Sequence, residues 1–271
     1  MHRSGTKLLS QILKEIGVFL GSKVEPNGES LLFLKINERL LKQADSSWYN
    51  PSRFLLDIDN HLSDYTQFAV RNVEKYFMKQ FCDQNFFGYY NTNFRWGWKD
   101  PRNILTIKIW KKIFPKAKII NIYRNPIDVA NSLKKRETFF SDKNIIWWFY
   151  RTIYDYYKYG LHVQRCPNLL NINNGINLWE EYTTESLTIN ANILNIKYED
   201  LVLNPPITLR SIVNFIEKQC SEMQIERAVK IIHDKSRYAF TKKTDLVSLY
   251  NKSKNSPLFI KTDYSNILNE I

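Results

Sequence analysis

Cysteine and histidine are scarce in this chain of 271 residues, and what is missing narrows its chemistry. Cys82, Cys166 and Cys220 stand far apart, form no CxxC pair and leave an odd number, which argues against a disulfide framework or a zinc knuckle. His2, His61, His162 and His233 are scattered without an HxxxH or Cys/His ligand pattern, so no metal is expected. No apolar run approaches the ~18–20 residues of a membrane span, and no signal peptide precedes His2. The expected setting is a reducing cytoplasm. No stretch rich in Gly, Pro or Ser marks a linker and no internal repeat is visible, so residues 1–271 read as a single domain.

Acid is the other shortage. Lys and Arg number 39 against 27 Asp and Glu, a net charge of +12. Such an excess suits either a solvated surface or an anionic ligand, substrate or membrane surface. Nonspecific nucleic-acid binding would also use it, but no recognition motif accompanies the charge, so no specific nucleic-acid partner is expected.

Hydrophobic periodicity gives the order of elements. Leu8, Leu9, Ile12, Leu13 and Ile16 recur at helical spacing after the opening segment, with Gly17 as a stop. LLFLKINERLLKQ (31–43) and residues 64–81 read as helices, FRWGW (94–98) as a short strand, and ILTIKIWKKIF (104–114) as a helix closed by Pro115. KIINIY (118–123) is a continuous apolar strand of the kind buried in parallel sheets. Asn125-Pro126 opens another helix, ILNIKY (193–198) is a later strand, and ITLRSIVNFI (207–216) is helical. Ser221 with Gln224 forms a capping-box pattern. This alternation predicts an α/β fold with a central parallel sheet flanked by helices. Residues 134–178 form an aromatic-rich helical insert, read as core packing in preference to a stacking platform for a sugar or base. The segment from about 235 to 271 is polar and reads as a loosely packed tail.

Two segments suggest phosphate chemistry. HRSGT (2–6) before a helix offers backbone amides, two hydroxyls and a guanidinium at a helix N-terminus. It is not the GxxxxGK[ST] loop of nucleotide triphosphatases, since Thr6 separates Gly5 from Lys7, and KIINIY ends in Arg124 where a magnesium-holding Asp would stand. Arg124 and Ser132 sit eight residues apart across a strand-to-helix turn and could clamp a second phosphate. Singly, each reads as a surface salt bridge or an ordinary helix serine. Together with the first loop they imply a ligand with phosphates at two ends.

At these residues the sequence resembles the PAPS-dependent sulfotransferases, in particular the glycan- and protein-type branch widespread in bacteria. The resemblance rests on HRSGTKLL (2–9), GWKDPRN (97–103), KIINIYRNPIDVANSL (118–133), LWEEY (178–182) and IKYEDLVLNP (196–205), in family order over most of the chain. It implies a P-loop-type central sheet and the co-substrate 3′-phosphoadenosine 5′-phosphosulfate (PAPS), used without a metal. Arg3, Ser4, Gly5 and Thr6 match the loop that holds the 5′-phosphosulfate. Arg124 and Ser132 match the pair that binds the 3′-phosphate. Glu29 matches a Glu that follows the first helix in related enzymes and is the first base candidate, with an exposed turn residue as the competing reading. Asp100 is the second base candidate, with capping of the helix at Pro101 favoured, and Lys99 is placed near the sulfonate or acceptor. Lys7 stands where the family has a small or hydroxylated residue, so it contacts PAPS or crowds the pocket. The implied acceptor is a hydroxyl, or less readily an amine, of a carbohydrate, lipid or tyrosine; a glycan fits the basic balance and the aromatic insert. The family also has an apolar strand ending in Gly before this loop, whereas Met1 alone precedes HRSGT. The expectation is therefore either an enzyme whose start lacks the first strand, or a degenerate, catalytically silent nucleotide-binding or interaction protein of the same fold.

Overall fold

The computed structural model describes residues 1–82, 94–160, 164–190, 192–233 and 236–270. The opening loop runs into helix α1 (Thr6–Glu15), which buries Leu9 and Ile12 and stops where Gly17 turns left-handed at φ 79°. Strand β1 (Val18–Phe19) follows, then α2 (Leu31–Gln43), α3 (Ser52–Asp57) and α4 (Leu62–Tyr76), the last continuing through a π-helical turn to Phe81. Strand β2 (Arg95–Trp96) leads through a 3₁₀ turn at Pro101–Ile104 into α5 (Ile107–Ile113) and strand β3 (Ile119–Tyr123). Next come α6 (Pro126–Ser141), α7 (Ile145–Tyr159), α8 (Ile172–Leu187), strand β4 (Ile193–Lys197), α9 (Tyr198–Leu203), α10 (Pro205–Phe215) and α11 (Glu222–Lys230). The capping box at Ser221 and Gln224 forms as its pattern predicts, and Asn125 caps α6 by accepting from the N–H groups of Ile127 and Asp128 at 3.0 and 3.2 Å.

The strands pair in parallel, as the alternation of elements predicts, but they do not form one central sheet. β1 pairs with β2, β3 pairs with β4 from Ile119–Ile193 to Tyr123–Lys197, and among the described residues nothing joins the two pairs. A cavity of about 730 Å³ lies between them, walled by β2, β3, α1 and α5. The reason lies in the pairing: among the described residues β2 hydrogen-bonds only to β1 and β3 only to β4, so no ladder crosses the cavity. Two hydrophobic clusters make up the core. One gathers α2, α4, α5, α6 and α8 around Phe33, Leu40, Ile109 and Trp179; the other packs α1, β3, β4 and α9–α11 around Ile12, Ile122 and Leu209.

Two further expectations need correction. The tail is not loosely packed: α12 (Thr244–Ser253), α13 (Pro257–Lys261) and α14 (Ile267–Glu270) drive Phe240, Tyr250, Phe259 and Tyr264 into the first core, where each is fully buried. Its polar letters hide these four aromatics, which complete the core beside Trp179. The insert, whose residues 161–163 lie outside the described residues, is helical, but α7 does not use its aromatics chiefly as core. Trp147 and Trp148 are half-buried, whereas Phe149, Tyr150, Tyr156 and Tyr157 are exposed.

Candidate active site

Two turns meet at the N-terminus of α1. In the loop, Arg3 (φ 66°) and Gly5 (φ 94°) both take the left-handed region, which turns the chain sharply into α1 and leaves the first-turn amides without helical acceptors. The second turn carries Arg124 from the end of β3 into α6. It is fixed on one side by Trp179, whose indole N–H donates to the Arg124 carbonyl at 3.0 Å, and on the other by Glu199, whose carboxylate accepts the Asn125 N–H at 2.9 Å and the Tyr264 hydroxyl at 2.7 Å. The LWEEY and YEDL segments thus act as braces for this turn.

The structure brings the predicted phosphate-binding residues together. Arg3 Nε donates to Ser132 Oγ at 2.8 Å. Gly5 packs against Tyr198, and the Tyr198 ring lies under the Arg124 guanidinium at 4.7 Å. Partial desolvation and the nearby Arg124 charge lower the pKa of Arg3, so two cations crowd one another beside a helix N-terminus. No carboxylate among the described residues pairs with Arg3. Arg124 is nearly buried and held by Asp128 at 3.2 Å and by the Ser236 carbonyl. Asp128 accepts from the N–H groups of Ala239 and Phe240 as well; burial raises its pKa, and these partners offset part of the rise. Ser4 Oγ and Arg124 Nε are buried with no hydrogen-bond partner in the structure. Unsatisfied donors, crowded cations and bare helix amides fit an anion with several oxygens. Thr6 opens α1 half-buried, and Lys7 is exposed on its first turn, so Lys7 does not crowd the interior.

Glu29, Lys99 and Asp100 meet in a buried ionic cluster. Glu29 sits in a turn closed by Glu25, which accepts the Glu29 N–H at 3.1 Å, and its carboxylate lies 3.3 Å from both Lys99 Nζ and Arg102 Nη1. It is 6% exposed, which rules out the reading of a solvated turn residue. Burial first, and then the charge of Asp100, raise its pKa, while Arg102 and Lys99 pull against that rise. Asp100 takes the cap: its carboxylate accepts the Arg102 N–H and guanidinium at 2.9 Å through one oxygen and the Asn37 amide at 2.9 Å through the other. Three of its acceptor positions are thereby taken by Arg102 and Asn37.

Several residues were missed by the sequence reading. Arg102 binds Asp100, Glu29 and Glu38, and these carboxylates raise its pKa although burial alone would lower it. It stands in the KDPRN segment already singled out, and that was the available signal. Tyr198 likewise stands in IKYEDL. His2, noticed only as a metal ligand that lacked partners, packs its ring 4.4 Å from Trp48 and has a buried Nε2 with no partner. Burial, then the charges of Arg102 and Arg136, hold its pKa well below 6.5, so it is neutral.

A family model described as "Sulfotransferase family" matches residues 1–222, most of the chain and all five segments on which the resemblance rests. The chain belongs to the sulfotransferase family. No curated protein and no solved structure matches it. Membership supports sulfuryl transfer in general and agrees with an α/β fold with parallel strands. No helix among the described residues is long and apolar enough to cross a membrane, and no group of three or more His, Cys, Asp or Glu among them could hold a metal ion.

Proposed function

We propose that this sulfotransferase takes its sulfuryl group from PAPS and places it on a hydroxyl, or less readily an amine, of a carbohydrate, lipid or tyrosine acceptor. The observation that carries this reading is the meeting of Arg3 and Arg124 beside the amides of α1, with Ser4 Oγ and Arg124 Nε unsatisfied. In the proposed arrangement Arg3, Ser4, Gly5 and Thr6 hold the 5′-phosphosulfate and Arg124 and Ser132 the 3′-phosphate, with Tyr198 tying the two ends together. PAPS supplies an activated sulfuryl group whose departure leaves charge on a phosphate oxygen. Arg3 and the α1 amides stabilise that charge more as it develops than before it does.

Glu29 is the proposed base. Its raised pKa suits an acceptor of the hydroxyl proton, and Lys99 fixes its carboxylate. The test is transfer of ³⁵S from labelled PAPS to oligosaccharide, lipid and tyrosyl-peptide hydroxyls, with Glu29→Gln alongside. The expected result is labelled acceptor from the wild type and at least ~100-fold less from the variant. Equal labelling by the variant would move the base elsewhere.

A second reading, a catalytically silent protein that retains nucleotide binding, is favoured by one feature: the gap between β2 and β3 leaves the loop braced by α1 without a strand on its other side. Binding of adenosine 3′,5′-bisphosphate without transfer to any acceptor supports it.

A further inference from the structure

Helix α7 is amphipathic in the reverse sense. A surface helix normally turns its charges outward and its apolar stripe toward the core. Here Asp155 is turned inward, 8% exposed, with Arg151 bonded to it at 2.8 Å, whereas Ile145, Ile146, Phe149, Tyr150, Ile153 and Tyr157 face solvent. Ile145 is 81% and Tyr157 82% exposed. At 100° per residue these six fall within one half of the helix circumference, and that half contains no charged residue. A continuous exposed apolar face of this kind marks a surface that is covered in the working protein.

The surroundings of the face say what covers it. Lys143 lies over Phe139 at 4.2 Å, Lys158 over Tyr154 at 4.9 Å, and Arg165 over Trp148 at 5.3 Å. Arg151 is engaged by the inward Asp155, whereas Lys143, Lys158 and Arg165 have no carboxylate partner among the described residues. An apolar, tyrosine-rich face flanked by cations is the pattern of a helix that lies in the interface of an anionic membrane, rings at the headgroup level and cations on the phosphates. A second copy of the chain fits less well, since pairing these faces would set one cationic flank against another.

We infer that α7 docks this protein on the surface of an anionic phospholipid bilayer, without crossing it. The helix lies flat, its aromatic half entering the headgroup layer and its basic flank meeting lipid phosphates. The inference is independent of the donor and acceptor assigned above.

The experiment is co-sedimentation of the full chain with vesicles of phosphatidylcholine alone and with phosphatidylserine added, across a salt series. The full chain is expected to sediment with the anionic vesicles and to be released by salt. Ile146→Ser/Phe149→Ser/Tyr157→Ser should partition at least tenfold more weakly, with an unchanged circular dichroism spectrum. Lys143→Glu/Lys158→Glu, which leaves the apolar face intact, should weaken binding by about fivefold or more for each cation changed. Failure of the wild type to sediment with any vesicle would overturn the inference, as would undiminished binding by the charge variant. Sedimentation equilibrium giving a dimer that the triple-serine variant splits would also overturn it, and would assign the face to a second copy.

Discussion

Replacing Gly5 with alanine tests the join between the two turns. Gly5 holds φ at 94°, and a Cβ there would lie 2.5 Å from Tyr198 Cδ2 and 3.3 Å from Ile122 Cδ1. The left-handed conformation costs a non-glycine residue about 1–2 kcal/mol. Overpacking against a ring costs about 1–3 kcal/mol more. The total of about 2–5 kcal/mol corresponds to a fall in Tm of roughly 4–20 °C for a chain of this size. Tyr198 cannot retreat without moving the Arg124 guanidinium stacked on it, so the variant should also lose affinity for adenosine 3′,5′-bisphosphate. Gly17→Ala is the control, because Gly17 has φ 79° but a Cβ there meets the flexible ends of Lys218, at 3.4 Å, and Gln224, at 3.8 Å. Scanning calorimetry and titration of both variants separate the effects. Gly17→Ala should lose some stability and keep its affinity, while Gly5→Ala should lose both. Equal affinity in the two would refute a link from loop to Arg124 through Tyr198.

Other substitutions probe the ionic cluster and the tail. Arg102→Met leaves Asp100, Glu29 and Glu38 without their shared cation and should cost about 3–5 kcal/mol in urea unfolding; a loss below about 1 kcal/mol would show that the cluster is well solvated. With Glu29 as base, turnover requires its carboxylate ionised. Because burial raises its pKa above 4.5, the acid limb of the pH–rate profile should lie above that value and vanish in Glu29→Gln; a profile unchanged by the substitution would remove Glu29 from the mechanism. Deleting residues 236–271 removes Phe240, Tyr250, Phe259 and Tyr264 from the core and Ser236 from Arg124, so the shortened chain should show no cooperative unfolding transition; a transition like that of the full chain would contradict the core assignment.

Much of this architecture was legible because its signals are local. Asn125-Pro126, the Ser221/Gln224 box and the apolar run at 118–123 each specify their own element through capping or periodicity, and the elements form where these signals lie. The tail failed the same reading because its buried aromatics are spaced among polar residues, and only the surface that α8 offers decides that they are core. The join of β1 with β2 and β3 with β4, and the gap between the pairs, is a tertiary outcome that no periodicity states. At the site, the motif-bearing residues Arg3, Arg124 and Ser132 were readable, and so was Glu29 through its resemblance to a family position. Arg102 was not readable as a hub, because three of its carboxylate contacts come from segments separated in sequence or from a residue read as a cap. Tyr198 was hidden for a similar reason: it reads as the last residue of a strand, and its role arises only where Gly5 and Arg124 close on it.

The most direct test of the two-ended phosphate site is calorimetric titration of adenosine 3′,5′-bisphosphate and of adenosine 5′-monophosphate into the wild type and into Arg124→Ala. The account predicts that the wild type prefers the bisphosphate by about tenfold or more, as one charge-assisted contact set should give. Arg124→Ala should erase that preference while still binding the monophosphate through Arg3 and the α1 amides. Equal affinity of the wild type for the two nucleotides, or a preference that survives in Arg124→Ala, would contradict it.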